Sequence, residues 1–140
     1  MVLLLDTDVL SELRKRRPDR SVSDWYGAMA GSTLRVSVLT LGELREGAER
    51  LRSRDPRQAA VLDGWCLQLA EVWADRLVPV DAAVAEAWGR LRAIRTLPPV
   101  DALLGATALA HGWTLVTRNV ADLAGTGVSV YDPWTFGTDG

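Results

Sequence analysis

The chain has 140 residues, a formal net charge of −2, 48% hydrophobic and 24% charged residues, the balance of one globular domain spanning 1–140 with a core of its own. With Cys66 the only cysteine and His111 the only histidine, a disulfide framework, a cysteine zinc site and a several-histidine metal site are excluded. No apolar run approaches the length of a membrane-spanning helix, and the apolar start at residues 2–5 gives way at once to Asp6, Asp8 and Glu12, the reverse of a signal peptide, so the expected location is cytoplasmic, with no membrane partner.

Residues 2–5 form a short continuous apolar run, as a buried parallel strand does. A helix is predicted over 8–17, ending before Pro18, and a second one capped by Ser21 or Ser23 and running to Gly31. A strand over 34–38 leads into a helix from Thr40 to about residue 53. Asp55-Pro56 is a restart signal, an N-cap followed by proline in the first turn, for a helix over 57–75. Residues 77–80 read as a third strand, and Asp81 caps a helix with Val84, Trp88, Leu91 and Ile94 at helical spacing. Pro98-Pro99 breaks the chain before an alanine- and leucine-rich helix over 101–111, stopped by Gly112. Strands over 114–117 and 128–131 flank a helical turn over 119–123, and the tail from Asp132 reads as irregular. Alternating strands and helices predict an α/β fold, a three-layer α/β/α sandwich around a five-stranded, mostly parallel sheet.

Ligands of open parallel sheets bind beyond the carboxyl ends of the strands. Asp6 follows the first strand, Glu43 lies in the first turn after the second, and Asp122 follows the fourth. Asp101 joins them at that edge provided its helix runs antiparallel to the fourth strand. Four carboxylates without a cation repel one another. A hard divalent ion such as Mg2+ or Mn2+ resolves that conflict, acidifies a bound water and stabilises phosphoryl charge. Each residue also has a plainer role available. Asp6 serves as a turn former, Thr40 and Glu43 as the two ends of a capping box, Asp101 as an N-cap and Asp122 as a solvated surface group. The joint placement favours phosphodiester hydrolysis over four unrelated coincidences.

The residues at these positions carry a family resemblance. Leu4-Leu5-Asp6-Thr7-Asp8-Val9-Leu10 resembles the opening motif of PIN-domain ribonucleases, and Leu39-Thr40-Leu41-Gly42-Glu43-Leu44 with Gly47 resembles their second. Residues 100–108, from Val100-Asp101 to Thr107-Ala108, resemble the third, and 115–123, with Thr117, Asn119 and Asp122, the fourth. Val130-Tyr131-Asp132-Pro133-Trp134 is similar to the ending of the VapC-like branch. The resemblance implies a PIN fold and an Mg2+- or Mn2+-dependent endoribonuclease cleaving single-stranded RNA. It also implies the toxin of a type II toxin–antitoxin pair, a homodimer held in check by a cognate antitoxin. Asp6, Glu43, Asp101 and Asp122 carry over as catalytic and metal-binding residues, with Thr117 and Asn119 in support. Asp8 stands where the family often has Asn, which adds a negative charge and leaves its role, support or direct ligand, open.

Two other functions compete. A phosphatase of the haloacid-dehalogenase type also follows its first strand with Asp-x-Asp, but it needs a balancing lysine, and the only one here is Lys15, one helix later. A catalytically silent RNA- or partner-binding module has no need of four carboxylates that repel phosphate. Three basic clusters, 14–20, 45–57 and 90–95, are solvated helix faces by default. Arg14, Arg16, Arg17 and Arg118 are the candidate RNA contacts. Trp65 and Trp73, eight residues apart, are a candidate interface stripe, and the helical hairpin around residues 55–75 a candidate dimer or partner surface.

Overall fold

The computed structural model describes residues 1–29 and 31–137. Five strands, β1 (Val2–Leu5), β2 (Thr33–Ser37), β3 (Leu77–Val78), β4 (Thr114–Val116) and β5 (Ser129–Tyr131), pair in the order β3-β2-β1-β4-β5. Every pairing is parallel, so the sheet is wholly rather than mostly parallel. Seven helices cover it among the described residues: α1 (Thr7–Arg14), α2 (Arg20–Ala28), α3 (Val38–Leu51), α4 (Pro56–Val72), α5 (Ala82–Ile94), α6 (Pro99–His111) and α7 (Val120–Leu123).

Side-chain alternation along the central strands divides the core in two. Leu3, Leu5, Val36 and Val116 pack with Val9, Val22, Trp25, Leu44, Cys66, Leu69 and Trp73 on the face covered by α1 to α4. Leu4 and Leu115 point the other way, against Leu91, Leu97, Leu104, Leu123 and Val128. This is the three-layer arrangement expected from the alternating pattern.

Several element ends fall elsewhere than sequence signals place them, each for a capping reason. Asp6 caps α1, accepting from Thr7 N at 2.7 Å, so the helix starts at Thr7; it stops at Arg14, where Lys15 turns extended and its N–H donates to Glu12 O. Asp19 caps α2 by accepting from Ser21 N at 2.9 Å, leaving Ser21 and Ser23 inside the helix. Ser37 caps α3 through Leu39 N at 3.0 Å, so Val38, expected in the strand, is helical. Asp55 and Asp81 cap α4 and α5 as read from sequence. Pro99 opens α6 from its first position, where its missing N–H costs nothing. Gly112 ends that helix at φ +70, a left-handed conformation that favours glycine. β3 is only two residues long, and the tail forms a 3-10 turn over Pro133–Thr135.

The tryptophan stripe is not an interface. Trp73 is 6% exposed and packs in the first core with Cys66 and Leu69. Trp65 is half-buried beneath the Arg14 guanidinium, 4.5 Å from its ring centre. The exposed apolar residues of α4 are instead Val61, Leu67 and Val72. Among the described residues, no helix is long and apolar enough to cross a membrane.

Candidate active site

Strand β1 is the point where the sheet's order reverses: β2 lies on one side of it and β4 on the other. Crevices form beyond the carboxyl ends at such a point. Here Asp6 leaves β1 and Thr117 leaves β4, and Asp6, Thr117, Asn119, Asp101 and Asp122 line one small cleft with Leu97, Leu104, Leu115 and Leu123.

Asp6 is the most fixed of these groups. It is 7% exposed, its N–H donates to Val116 O at 2.9 Å, and its Oδ2 accepts from the Thr117 hydroxyl at 2.6 Å. Burial pushes its carboxyl above the ordinary aspartate range, against the opposing pull of the Thr117 and Thr7 hydrogen bonds. Thr117 is 1% exposed and also accepts from Asn119 N at 3.1 Å, so it ties the Asn119 backbone to Asp6.

Asp8 sits one residue into α1. Its Oδ2 accepts from Arg118 N at 3.2 Å, while its buried Oδ1 has no hydrogen-bond partner. Burial, then the Asp6 charge, pushes this carboxyl up to about 7.

Glu43 lies inside α3, six residues beyond its Ser37 cap, so the capping-box role does not apply. Its Oε1 accepts from the Thr7 hydroxyl at 2.5 Å, and Thr7 is hydrogen-bonded to the fully buried Thr40 at 3.0 Å. Burial raises the Glu43 carboxyl, and the Asp6 and Asp101 charges add to that. Thr7 was not singled out from sequence. Its place between Asp6 and Asp8 was visible, but its contact with α3 arises only from tertiary packing.

Asp101 sits in the first turn of α6 but is not its N-cap; Pro98 holds that position and makes no side-chain cap. Half-burial raises its carboxyl, with the charges of Asp6 and Asp122 adding to the effect. Asp122 is exposed on the four-residue α7, whose N-cap, Asn119, makes no side-chain cap hydrogen bond. The plainer capping roles of Glu43 and Asp101 are therefore gone; Asp101 joins Asp6 and Asp122 in the lining of the cleft, while Glu43 stands beside it, held by Thr7.

Of the candidate RNA contacts, only Arg118 adjoins the cleft, its guanidinium 4.7 Å from the Trp134 ring centre. Arg14 lies eight residues along from Asp6, about 12 Å at the helical rise, and rests on Trp65. Arg16 and Arg17 follow it, exposed. One cation that sequence reading assigned only to a solvated helix face does reach the site: Arg95 Nη1 donates to Asp122 O at 2.7 Å.

Among the described residues, no three Asp, Glu, His or Cys side chains converge closely enough to hold a metal ion as they stand. The donor chemistry fits a hard divalent cation. It is all oxygen, it carries excess negative charge with raised carboxyls, and it includes the buried, unpartnered Asp8 Oδ1.

Comparison with known proteins gives the family and the fold. A family model described as PIN domain matches residues 3–122. Plasmid stability protein StbB of Pseudomonas syringae pv. tomato is 33% identical over 138 residues, 95% of this chain and 99% of its own. VapC ribonuclease Y4jK of Sinorhizobium fredii is 31% identical over 140 aligned residues, 95% of this chain and 98% of its own. The crystal structure of FitAcB from Neisseria gonorrhoeae superposes with a TM-score of 0.83 at 28% identity, covering 94% of this chain and 98% of that one.

Proposed function

This chain belongs to the PIN-domain family, and we propose that it is a metal-dependent endoribonuclease, the toxin of a toxin–antitoxin pair, cleaving single-stranded RNA. The observation that carries this reading is the meeting of Asp6, Asp101 and Asp122 with Thr117 and Asn119 in one cleft at the order reversal of the sheet. The ribonuclease name of a relative 31% identical along nearly its whole length supports the same reading. So does the likeness to FitAcB, and the likeness to a toxin-antitoxin complex from Klebsiella pneumoniae, at 27% identity and a TM-score of 0.65, supports an antitoxin partner.

Asp6, Asp101 and Asp122 would hold Mg2+ or Mn2+, with Asp8 beside Asp6. When bound, such an ion polarises the phosphate and lowers the pKa of a coordinated water. Thr117 keeps the Asp6 carboxylate facing the cleft, and Thr7 fixes Glu43 through Oε1. Glu43 Oε2 is left to take a proton from the attacking water, a role suited to a carboxyl raised by burial. The water oxygen bonds to phosphorus as the bond to the 3′ oxygen breaks, leaving a 5′-phosphate and, after protonation by solvent, a 3′-hydroxyl.

The test is cleavage of single-stranded RNA by the purified chain with Mg2+ or Mn2+, and its loss in Asp6→Asn and Asp101→Asn. Unchanged cleavage in both variants sinks the assignment. RNA binding that persists in chelator without cleavage under any ion favours the silent binding module instead. A homodimer is part of the same proposal, and light scattering of the purified chain tests it.

A further inference from the structure

The turn that carries Asp122 is weakly built. α7 has four residues and no side-chain N-cap. Helices this short do not persist by their own backbone bonds. Ala124 N reaches Ala121 O at only 3.4 Å, and Thr126 satisfies Leu123 O through both its N–H and its hydroxyl. The Asp122 carbonyl lies between these bonds, and Arg95 supplies its donor, Nη1 at 2.7 Å.

Arg95 is the residue after α5, in extended conformation at φ −151 and ψ 140. Its neighbours in the same basic stretch are engaged elsewhere: Arg90 pairs with Glu86 at 3.0 Å, and Arg92 lies 5.4 Å from the Trp88 ring centre. Arg95 instead reaches across to the α7 turn. Its Nη2 would stand 3.9 Å from a Cβ at Gly125, a residue at φ +79, so the guanidinium spans the turn from Asp122 to Gly125. A cation at the carbonyl end of a helical turn is the favourable polarity.

We propose that Arg95 is a positioning residue that latches α7 and so holds the Asp122 carboxylate against Asp6 and Asp101. The inference rests on reading Asp122 as a member of the site. Arg95 touches neither the ion nor the scissile phosphate; it acts through the Asp122 backbone.

The experiment compares Arg95→Met, which keeps the aliphatic stem but removes the donors, with Asp122→Asn, the double variant and Asp6→Asn. Mn2+ affinity is read by calorimetry or electron paramagnetic resonance without RNA, and KM and kcat are read separately. Arg95→Met is expected to weaken Mn2+ binding about tenfold while KM for RNA stays within about twofold. In the Asp122→Asn background the same change is expected to alter Mn2+ affinity by less than about twofold, and Arg95→Lys is expected to recover part of the loss. An equal loss in both backgrounds overturns the proposal, because Arg95 then acts independently of Asp122. A raised KM with unchanged Mn2+ affinity also overturns it, making Arg95 a phosphate contact. If Asp122→Asn matches the parent while Asp6→Asn abolishes Mn2+ binding, the latch falls and the nuclease reading stands. If neither substitution affects Mn2+ binding, the nuclease reading itself falls.

Discussion

Thr117→Val tests whether the hydroxyl at the end of β4 organises the centre. Valine has nearly the same shape, so the 1%-exposed pocket stays filled. Two hydrogen bonds are lost: the donation to Asp6 Oδ2 at 2.6 Å and the acceptance from Asn119 N at 3.1 Å. A hydrogen bond to a charged acceptor contributes about 1.5–3 kcal/mol, and the Asn119 N–H, part-buried, adds roughly 0.5 kcal/mol because water can replace its partner. Thr117→Val is therefore expected to lower stability by about 2–3.5 kcal/mol, a large share of the roughly 5–15 kcal/mol typical of a domain. Thr117→Ser keeps the hydroxyl and loses one methyl group, about 1 kcal/mol. Denaturant unfolding at neutral pH in chelator, followed by tryptophan fluorescence, gives both values. In the cleavage assay with Mn2+, the valine variant is expected to lose about 10- to 100-fold and the serine variant only a few-fold. If valine and serine variants unfold together and both cleave like the parent, the Thr117–Asp6 bond does not organise the site.

Glu12 offers a pH-dependent test away from the cleft. Its side chain is 10% exposed and accepts from Lys15 Nζ and Asp19 N, each at 2.8 Å. The Lys15 bond first, then the Asp19 N–H, holds its carboxyl below the ordinary range. A depressed acid stabilises the fold above its unfolded pKa and loses that contribution as pH falls through its folded value. Glu12→Gln is therefore expected to cost about 1 kcal/mol at neutral pH, discounted for the exposed Lys15, and nothing once the parent's carboxyl is protonated. Unfolding across pH checks this, and a cost that persists unchanged in acid refutes it. Gly105→Ala brings a Cβ within 3.3 Å of Leu91 and 3.4 Å of Leu123, both in the second core. Overpacking of about 1–3 kcal/mol outweighs the gain in helix propensity of about 1 kcal/mol. Net destabilisation by denaturant unfolding, with reduced cleavage because Leu123 anchors α7, is the expected result. Arg118→Ala is expected to raise KM and to reduce the salt slope of single-stranded RNA binding by about 0.7; an unchanged slope removes Arg118 as a phosphate contact.

The layers and the strand inventory were legible because buried parallel strands are short apolar runs and the helices between them carry N-cap and proline signals. Strand order was not, since nothing in Val2–Leu5 says that β2 and β4 will lie on its two sides. Several helix starts differed because neighbouring residues compete for the same cap. Ser37 and Thr40 both suit an N-cap, and the chain uses Ser37, which frees Thr40 to be buried against Thr7. The site carboxylates were visible from their positions after strands. Thr7 and Arg95 were not, because each joins the cleft through a contact between elements distant in sequence. The 45–57 cluster is the exposed helix face its default reading gives, with Arg45 and Arg52 paired to Asp63. Arg14, expected as an RNA contact, instead lies over Trp65, a pairing that no local reading makes.

The cleft divides into a fixed half and an adjustable half. Three hydrogen bonds stitch the ends of β1 and β4 together: Asp6 N to Val116 O, Thr117 Oγ1 to Asp6 Oδ2, and Arg118 N to Asp8 Oδ2. Thr7 extends that framework to Glu43. Asp101 and Asp122 stand on the first turn of α6 and on the short α7, and among the described residues no side-chain hydrogen bond holds either carboxylate. Turning them toward a cation breaks no protein contact, whereas moving Asp6 would strip Thr117 of its partner. On the proposed reading of the site, Asp6 would therefore fix where an ion sits, while Asp101 and Asp122 would turn to it from elements that hold no side-chain hydrogen bond of theirs. That makes the placement of α7, which Arg95 bonds at the Asp122 carbonyl, the part of the site most open to perturbation.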